Sequence, residues 1–294
     1  MNTVTARSPR KEEIPVLRGI WKEIFGSIGE ESFFQHYYNP GLCVLAEFKG
    51  TPAATGYLIP FSDILYDGKA LRCAMIYSVA TLPEYRGKGL GTTVVRSLID
   101  LAHETGFPAV VLCPNSDELF EYYSTRTGLR DWFFVNEQLI NKEHVNTGGA
   151  LAVEISINEY LCQRDELLKG TVHIRHDPNA LEYQASLCKE LGGGLFRIGD
   201  GCAVVECQPD GAVWIKELLT PEIKTDNNIS NPEINDSVAA IARKFPACEY
   251  VIRQPSLIGK GRRFGMLALP GSFDDGFGTV YKGSYAPWYG MAFD

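Results

Sequence analysis

The sequence has no uninterrupted apolar stretch approaching the roughly 20 residues that a membrane-spanning helix needs, and no apolar core follows its first charged residues. Neither a membrane span nor a secretory leader is expected. Paired cysteines are also missing. Cys43, Cys73, Cys113, Cys162, Cys188, Cys202, Cys207 and Cys248 include no C-x-x-C, and several sit inside apolar runs. That is the pattern of buried thiols in a reducing cytoplasm, not of a disulfide frame or a zinc site. Positive charge is in deficit: 28 Lys and Arg against 36 Asp and Glu leave a net charge of −8. This argues against nucleic acid as a partner and is compatible with a cationic amine substrate. Two nucleotide motifs fail on spacing. A Walker A loop ends Gly-Lys-Ser/Thr five residues after another glycine, but Gly87-Lys88 is followed by Gly89, and Leu82 stands where that glycine should be. In the dinucleotide pattern G-x-G-x-x-G, Gly87-x-Gly89 meets Thr92 and Gly89-x-Gly91 meets Val94.

What the chain does have is Arg86-Gly87-Lys88-Gly89-Leu90-Gly91-Thr92, set between two strongly patterned segments. Before it, Cys73 to Ala80 is short, continuous and apolar, which predicts a buried strand. After it, Leu90, Val94, Val95, Leu98, Leu101 and Ala102 recur at helical spacing, with Arg96, Asp100, His103 and Glu104 mostly on the other side. A strand, a glycine turn and a helix place several backbone N–H groups at the positive end of that helix. Such a turn binds phosphate groups without needing a side chain. A second apolar run, Ala109 to Cys113, predicts a parallel strand reached through the helix. A short helix follows, with Ser116 or Asp117 as its N-cap and a stop at Gly128.

The run Val79-Ala80-Thr81-Leu82-Pro83-Glu84-Tyr85-Arg86-x-x-Gly89-x-Gly91 resembles the acyl-CoA signature of the GNAT superfamily of N-acetyltransferases. The resemblance is specific over residues 73 to 128. It implies an α/β (α+β) fold with a mixed twisted sheet flanked by helices, and acetyl-CoA as co-substrate, with no metal. It also implies roles for individual residues. The amides of Gly87, Lys88, Gly89, Leu90, Gly91 and Thr92 would hold the pyrophosphate, and Arg86 would supplement their charge. A backbone N–H on a splayed strand near Ser78, Val79 or Ala80 would polarise the thioester carbonyl. Asn115 matches the Asn that the family carries near the next strand end. A tyrosine on the following helix would protonate the departing thiolate. Tyr123 is the first choice, although it lies five residues before Gly128 rather than the family's four, so Tyr122 stays open beside it. Glu30, Glu31, His36 and Ser78 are candidate bases by the same resemblance, with a water chain as the alternative. A binding module that holds acyl-CoA without turnover is the competing class.

At 294 residues, with 45% hydrophobic and 22% charged residues, the chain is long enough for two ordinary globular domains. In the first half, helices are expected over Lys11 to Phe25 and Glu30 to Tyr38. Strands follow over Cys43 to Phe48 and Ala53 to Pro60, then a hairpin at Tyr66-Asp67-Gly68-Lys69, then a strand at Trp132 to Val135. Gly148-Gly149 marks a boundary, giving a catalytic domain over 1–147 and a second domain over 150–294. The second half lacks the R-x-x-G-x-G but repeats the order. Helices over Asn158 to Lys169 and Asn179 to Leu191 precede strands Leu195 to Ile198, Cys202 to Cys207 and Ala212 to Leu219. A helix over Glu233 to Phe245 and strands at Tyr250 to Arg253 and Phe264 to Leu269 complete it. This looks like a second, degenerate GNAT domain in tandem with the first. His173 and His176 read as surface residues without the carboxylates a metal site would need. The chain ends in an apolar, aromatic run from Ala286 to Asp294, expected to pack as a last strand. A resemblance to the enhanced-intracellular-survival type of acetyltransferase would let Asp294, with its side-chain and terminal carboxylates, serve as the base.

Overall fold

The strand, turn and helix around Gly89 form where the hydrophobic pattern puts them. The computed structural model of the chain describes residues 3–145, 150–221, 232–270 and 285–292. Helix α3 (Leu90–Glu104) buries Leu90, Val94, Val95, Leu98, Ile99 and Ala102. Each of its larger apolar side chains contributes about 1.5–3 kcal/mol by leaving water. Upstream, β3 (Thr51–Tyr66) and β4 (Lys69–Thr81) meet at the expected hairpin. Asp67 and Gly68 both take positive φ there, 46° and 71°, as a tight two-residue turn between twisted strands requires. After α3, β5 (Ala109–Leu112) pairs parallel with β4, from Cys73↔Ala109 to Ile76↔Leu112. Helix α4 (Asp117–Thr127) then stops at Gly128, φ 78°.

Two compact units are present, and they are not two consecutive halves of the chain. The first draws on residues up to Ser62, on Leu71–Asp131, and on a stretch beginning at Gly265. Its sheet begins with β1 (Val4–Arg7) antiparallel to β2 (Cys43–Phe48), which is antiparallel to β3. Helices α1 (Ile14–Phe25) and α2 (Glu30–His36) come between β1 and β2 in the chain. The late strand β13 (Arg262–Ala268) returns through Met266↔Leu112 to pair antiparallel with β5. That pairing is why a linear boundary near residue 148 does not describe the unit: β5 takes its outer partner from beyond residue 264. Gly148-Gly149 itself lies outside the described residues.

The second unit includes 63–70 and 132–264 and resumes beyond residue 279. Its sheet runs β6 (Arg130–Asn141), β12 (Glu249–Pro255), β11 (Val213–Leu219), β10 (Gly201–Cys207), β9 (Gly194–Ile198), β7 (Ala152–Glu154). Only the β11–β12 pair is parallel, and helix α7 (Pro232–Lys244) joins its members. Helices α5 (Ile157–Leu167) and α6 (Pro178–Glu190) precede β9, with the short strand β8 (His173–His176) between them. Ser156 caps α5 through a reciprocal bond with Glu159.

In two places this unit departs from the sequence expectation. His173 and His176 are buried, each 4% exposed, because β8 is covered rather than on the surface. The terminal run is buried from Ala286 to Ala292 but is not a strand. It makes one bridge, His173↔Trp288, and is otherwise held by single bonds, among them Ile174 N–H to Trp288 O at 2.9 Å and Trp288 N–H to Val172 O at 2.8 Å. Beneath it lies a fully buried ion pair, Arg164 Nε to Glu217 Oε2 at 3.0 Å. Tyr160 donates to the same carboxylate at 2.6 Å, and the Trp288 indole N–H donates to it as well. Gly290 passes so close, with φ 78°, that a Cβ there would lie 2.7 Å from Arg164 Nη2. Burial lowers the His173 imidazole to about 4, with the Arg164 charge adding to the effect. His176 is lowered by the same two causes in the same order, then by His173.

Two predictions follow from this packing. Gly56 on β3 lies under α3, where a Cβ would come within 2.8 Å of Val94 Cγ1 and 2.9 Å of Leu98 Cδ1. Gly56→Ala should therefore cost about 1–3 kcal/mol of stability in a urea titration. The histidines set a pH dependence. The folded state keeps them neutral where the unfolded chain protonates near 6.5, so stability is full above that value. It declines as pH falls from about 6.5 toward 4, by up to ~1.4 kcal/mol per pH unit for each histidine. Unfolding free energies between pH 7 and 4.5 check this, and His173→Gln should flatten the slope.

Candidate acyl-CoA site

The turn that carries the site is shaped by its glycines. Gly87 and Gly89 have φ of 74° and 85°, a region that a side chain would strain. Gly89 is the N-cap of α3 and offers no side chain to it. Thr93 is the first residue of the helix to donate back, to Gly89 O at 3.0 Å. Among the described residues, the amides from Gly87 to Thr92 donate to no backbone carbonyl. Six donors are therefore free at the positive end of a helix, the arrangement that receives phosphate oxygens. Arg86 stands at the rim, exposed, its Nε donating to Thr81 O at 3.3 Å. Lys88 donates to Glu84 O and lies 5.4 and 5.3 Å from the Phe48 and Tyr85 ring centres. Phe48 and Tyr85 thus hold that ammonium at the turn.

Gly91 is needed for a different reason. A Cβ there would stand 3.2 Å from the Tyr122 hydroxyl and 3.7 Å from Thr81 Oγ1, filling the space beside the first turn of α3. Tyr122 and Thr92 share a 2.8 Å hydrogen bond. The Arg126 guanidinium sits 4.7 Å above the Tyr122 ring, one helical turn along α4. Tyr122 therefore stands beside the first turn of α3. Tyr123 is 6% exposed and joins the core cluster that includes Leu112, Phe120 and Leu129. Burial, and secondarily its neighbour Tyr122, push its phenol up to about 12. The two rings meet edge to face, 5.2 Å apart. Arg126 and Phe48 were missed by sequence reading, although Arg126 at i+4 from Tyr122 was visible as a same-face neighbour.

Strand β4 is broken at the same level. Its ladder to β5 ends at Ile76↔Leu112, yet β4 continues to Thr81. Ser78 takes φ 48° inside the strand, a left-handed conformation that costs a non-glycine residue roughly 1–2 kcal/mol. Val79 and Ala80 lie beyond the last residue that β4 pairs with β5. Asn115 is exposed just after β5.

The candidate bases fare unequally. Glu30 is buried and held by Arg18 and Lys22, each at 3.3 Å. Glu31 bonds Arg18 at 2.9 Å and Gln35 at 2.6 Å, and the Arg18 contact first and the Gln35 bond second lower its carboxyl. His36 is exposed at the end of α2. Asp294 lies outside the described residues. Among the described residues, no group of three His, Cys, Asp or Glu could hold a metal ion, and no helix is long and apolar enough to cross a membrane.

Residues 13–122 match the model of the acetyltransferase (GNAT) family. The chain carries a GNAT domain. No curated protein matches the sequence. Solved structures are similar over most of the chain. A GCN5-related N-acetyltransferase from Anabaena variabilis is 15% identical and superposes with a TM-score of 0.64 over 91% of this chain and 73% of its own. One from Kribbella flavida is 13% identical, with a TM-score of 0.62 over 91% and 71%. Eis1 from Mycobacterium abscessus is 12% identical, with a TM-score of 0.59 over 91% and 74%. At such identities these are similarities of fold, and the fold is that of GNAT proteins.

The strained kink yields a direct test. Ser78→Val adds a β-branched side chain to a left-handed position and should lower stability by about 1–2 kcal/mol relative to Ser78→Gly, read by thermal denaturation.

Proposed function

We propose that the chain is an acetyl-CoA-dependent N-acetyltransferase that moves the acetyl group to a primary amine by direct attack. One observation carries this: the amides of Gly87 to Thr92, which donate to no backbone carbonyl among the described residues, adjoin Thr81 at the end of β4, past the last residue that it pairs with β5. A long thioester with a pyrophosphate at one end suits such an arrangement. The amides and Arg86 bind the pyrophosphate, and the Tyr122–Thr92 pair flanks it. The amide of Val79 or Ala80 donates to the thioester carbonyl oxygen and strengthens that bond as negative charge develops. Tyr123, rather than Tyr122, donates its proton to the departing sulfur, because Tyr122 is already bonded to Thr92 beside the first turn of α3. A phenol near 12 stays protonated through neutral pH and always has the proton to give. An alkylammonium, with a pKa of ~10, must lose a proton before it can attack. Glu30 and Glu31 are committed to basic partners, so the amine sheds that proton to water or through His36, Ser78 or Asp294.

The second unit is the degenerate copy. Its β10–β11 hairpin, helix α7 and parallel strand β12 repeat the order of β3–β4, α3 and β5. Apart from Asp294, the residues of this scheme lie in the first half of the chain, 1–147.

Release of free CoA from acetyl-CoA across a panel of amines tests the proposal. Gly89→Asp should abolish acetyl-CoA binding in calorimetry, by straining the turn and setting a carboxylate beside the phosphates. Tyr123→Phe should lower turnover roughly ten- to a thousandfold with acetyl-CoA affinity nearly intact. Acetyl-CoA binding without CoA release for any amine would make the chain a binding module instead. A loss in Tyr122→Phe alone would move the acid one residue.

A further inference from the structure

We infer that the second unit carries a binding site for a small organic cation, a primary amine of a few heavy atoms, in a cavity at the end of β11. The cavity has a volume of about 180 Å³ and is lined by Asp200 and Gly201 at the β9–β10 turn, Thr220 and Pro221 past β11, and Asp236 and Ser237 on α7. At ~30 Å³ per water, it holds about six heavy atoms.

Its polar groups share one chemistry. Asp200 is exposed and Asp236 half-buried, and neither has a cationic partner among the described residues. Among the described residues, the basic side chains of α5, β11 and α7 are engaged elsewhere. Lys216 lies 3.1 Å from Glu206, Arg164 is paired with Glu217, and Arg243 donates to the carbonyl of Ala150 at the cavity's rim. Thr220 is 3% exposed, and its Oγ1 is buried without a hydrogen-bond partner. A buried hydroxyl in that state needs explaining, and a ligand reaching in from the cavity would satisfy it. Ser237 adds a second hydroxyl, 6% exposed. Two carboxylates can only accept, and two hydroxyls can accept. An ammonium has three donors and no acceptor, which matches this set. An anion would face both carboxylates. A bare divalent ion prefers six or more oxygen ligands, and two carboxylates on separate elements fall short of that.

The position in the fold supports a ligand too. Crevices at the carboxyl ends of parallel strands are where α/β units bind ligands. The cavity stands at that end of the parallel β11–β12 pair, the place that the basic glycine turn holds after β4 in the first unit. Its side-chain charge comes from Asp200 and Asp236, opposite in sign to Arg86 and Lys88 beside the glycine turn of the first unit.

Calorimetry on the full chain with 1,4-diaminobutane tests the site, and needs no turnover and no acetyl-CoA. We expect saturable binding that weakens about tenfold or more in Asp236→Asn and in Asp200→Asn. Thr220→Val should weaken it severalfold, while Gly89→Asp in the first unit leaves it unchanged. Circular dichroism confirms that each variant folds, and Asp200, exposed on a turn, serves if the α7 variant does not. The inference fails if no amine binds at millimolar concentration, or if binding is the same in folded Asp236→Asn and Asp200→Asn, which would put the amine elsewhere. It also fails if calcium chloride binds in its place, or if inorganic phosphate does.

Discussion

Everything at the candidate site depends on how closely α3 lies against the sheet. The helix carries the free amides at its first turn, and it can direct them at a ligand only if its axis is fixed. Gly56 allows this. With no side chain at that point of β3, Val94 and Leu98 settle onto the strand backbone, within the distance at which a methyl group would clash. The rest of the apolar face of α3 then fills the space between β2, β3, β4 and β5. A glycine in mid-strand normally weakens a sheet. Here the loss is offset by the burial of a whole helix face.

Much of this architecture was legible in the sequence, and for a physical reason. Helices α3 and α6 repeat their buried residues at helical spacing, and β2, β5 and β10 are short, nearly continuous apolar runs buried on both faces. Cys43–Phe48 came out with the bounds its residues suggest, and α3 began at the residue after the last αL glycine. Strands β3 and β4 run longer than their central apolar segments, β3 on to Tyr66 and β4 back to Lys69, because the hairpin pairs them beyond those segments. The return of β13 to β5 was invisible for a different reason: long-range pairing leaves no local trace.

Among the site residues, the glycine turn was readable because its chemistry is backbone chemistry, and glycine is the one residue whose absence of a side chain can be seen in a sequence. The kink at Ser78 was not, since nothing about a serine announces a left-handed backbone. The buried histidines misled for a related reason. His173-Ile174-Arg175-His176 looks polar, but in β8 every residue except Arg175 is buried, on both faces of the strand. Charged residues inside the apolar strand Val213–Leu219 were a further signal. Glu217 could be buried only because Arg164, Tyr160 and Trp288 all reach it. The tail that carries Trp288 is thus held by a polar anchor, where a strand had been expected.

The parting of β4 from β5 creates an edge in the middle of a sheet. Past Ile76 the ladder between β4 and β5 has ended, and Val79 to Thr81 run on much as the end of an outermost strand would. Such an edge is a template on which a foreign strand could add. Proteins usually protect their outer edges with charge, shortness or a bend, and here the bend at Ser78 falls within the edge itself. A short interior edge kinked at Ser78 cannot accept a regular strand. The feature that strains the backbone thereby also selects what may pair with it.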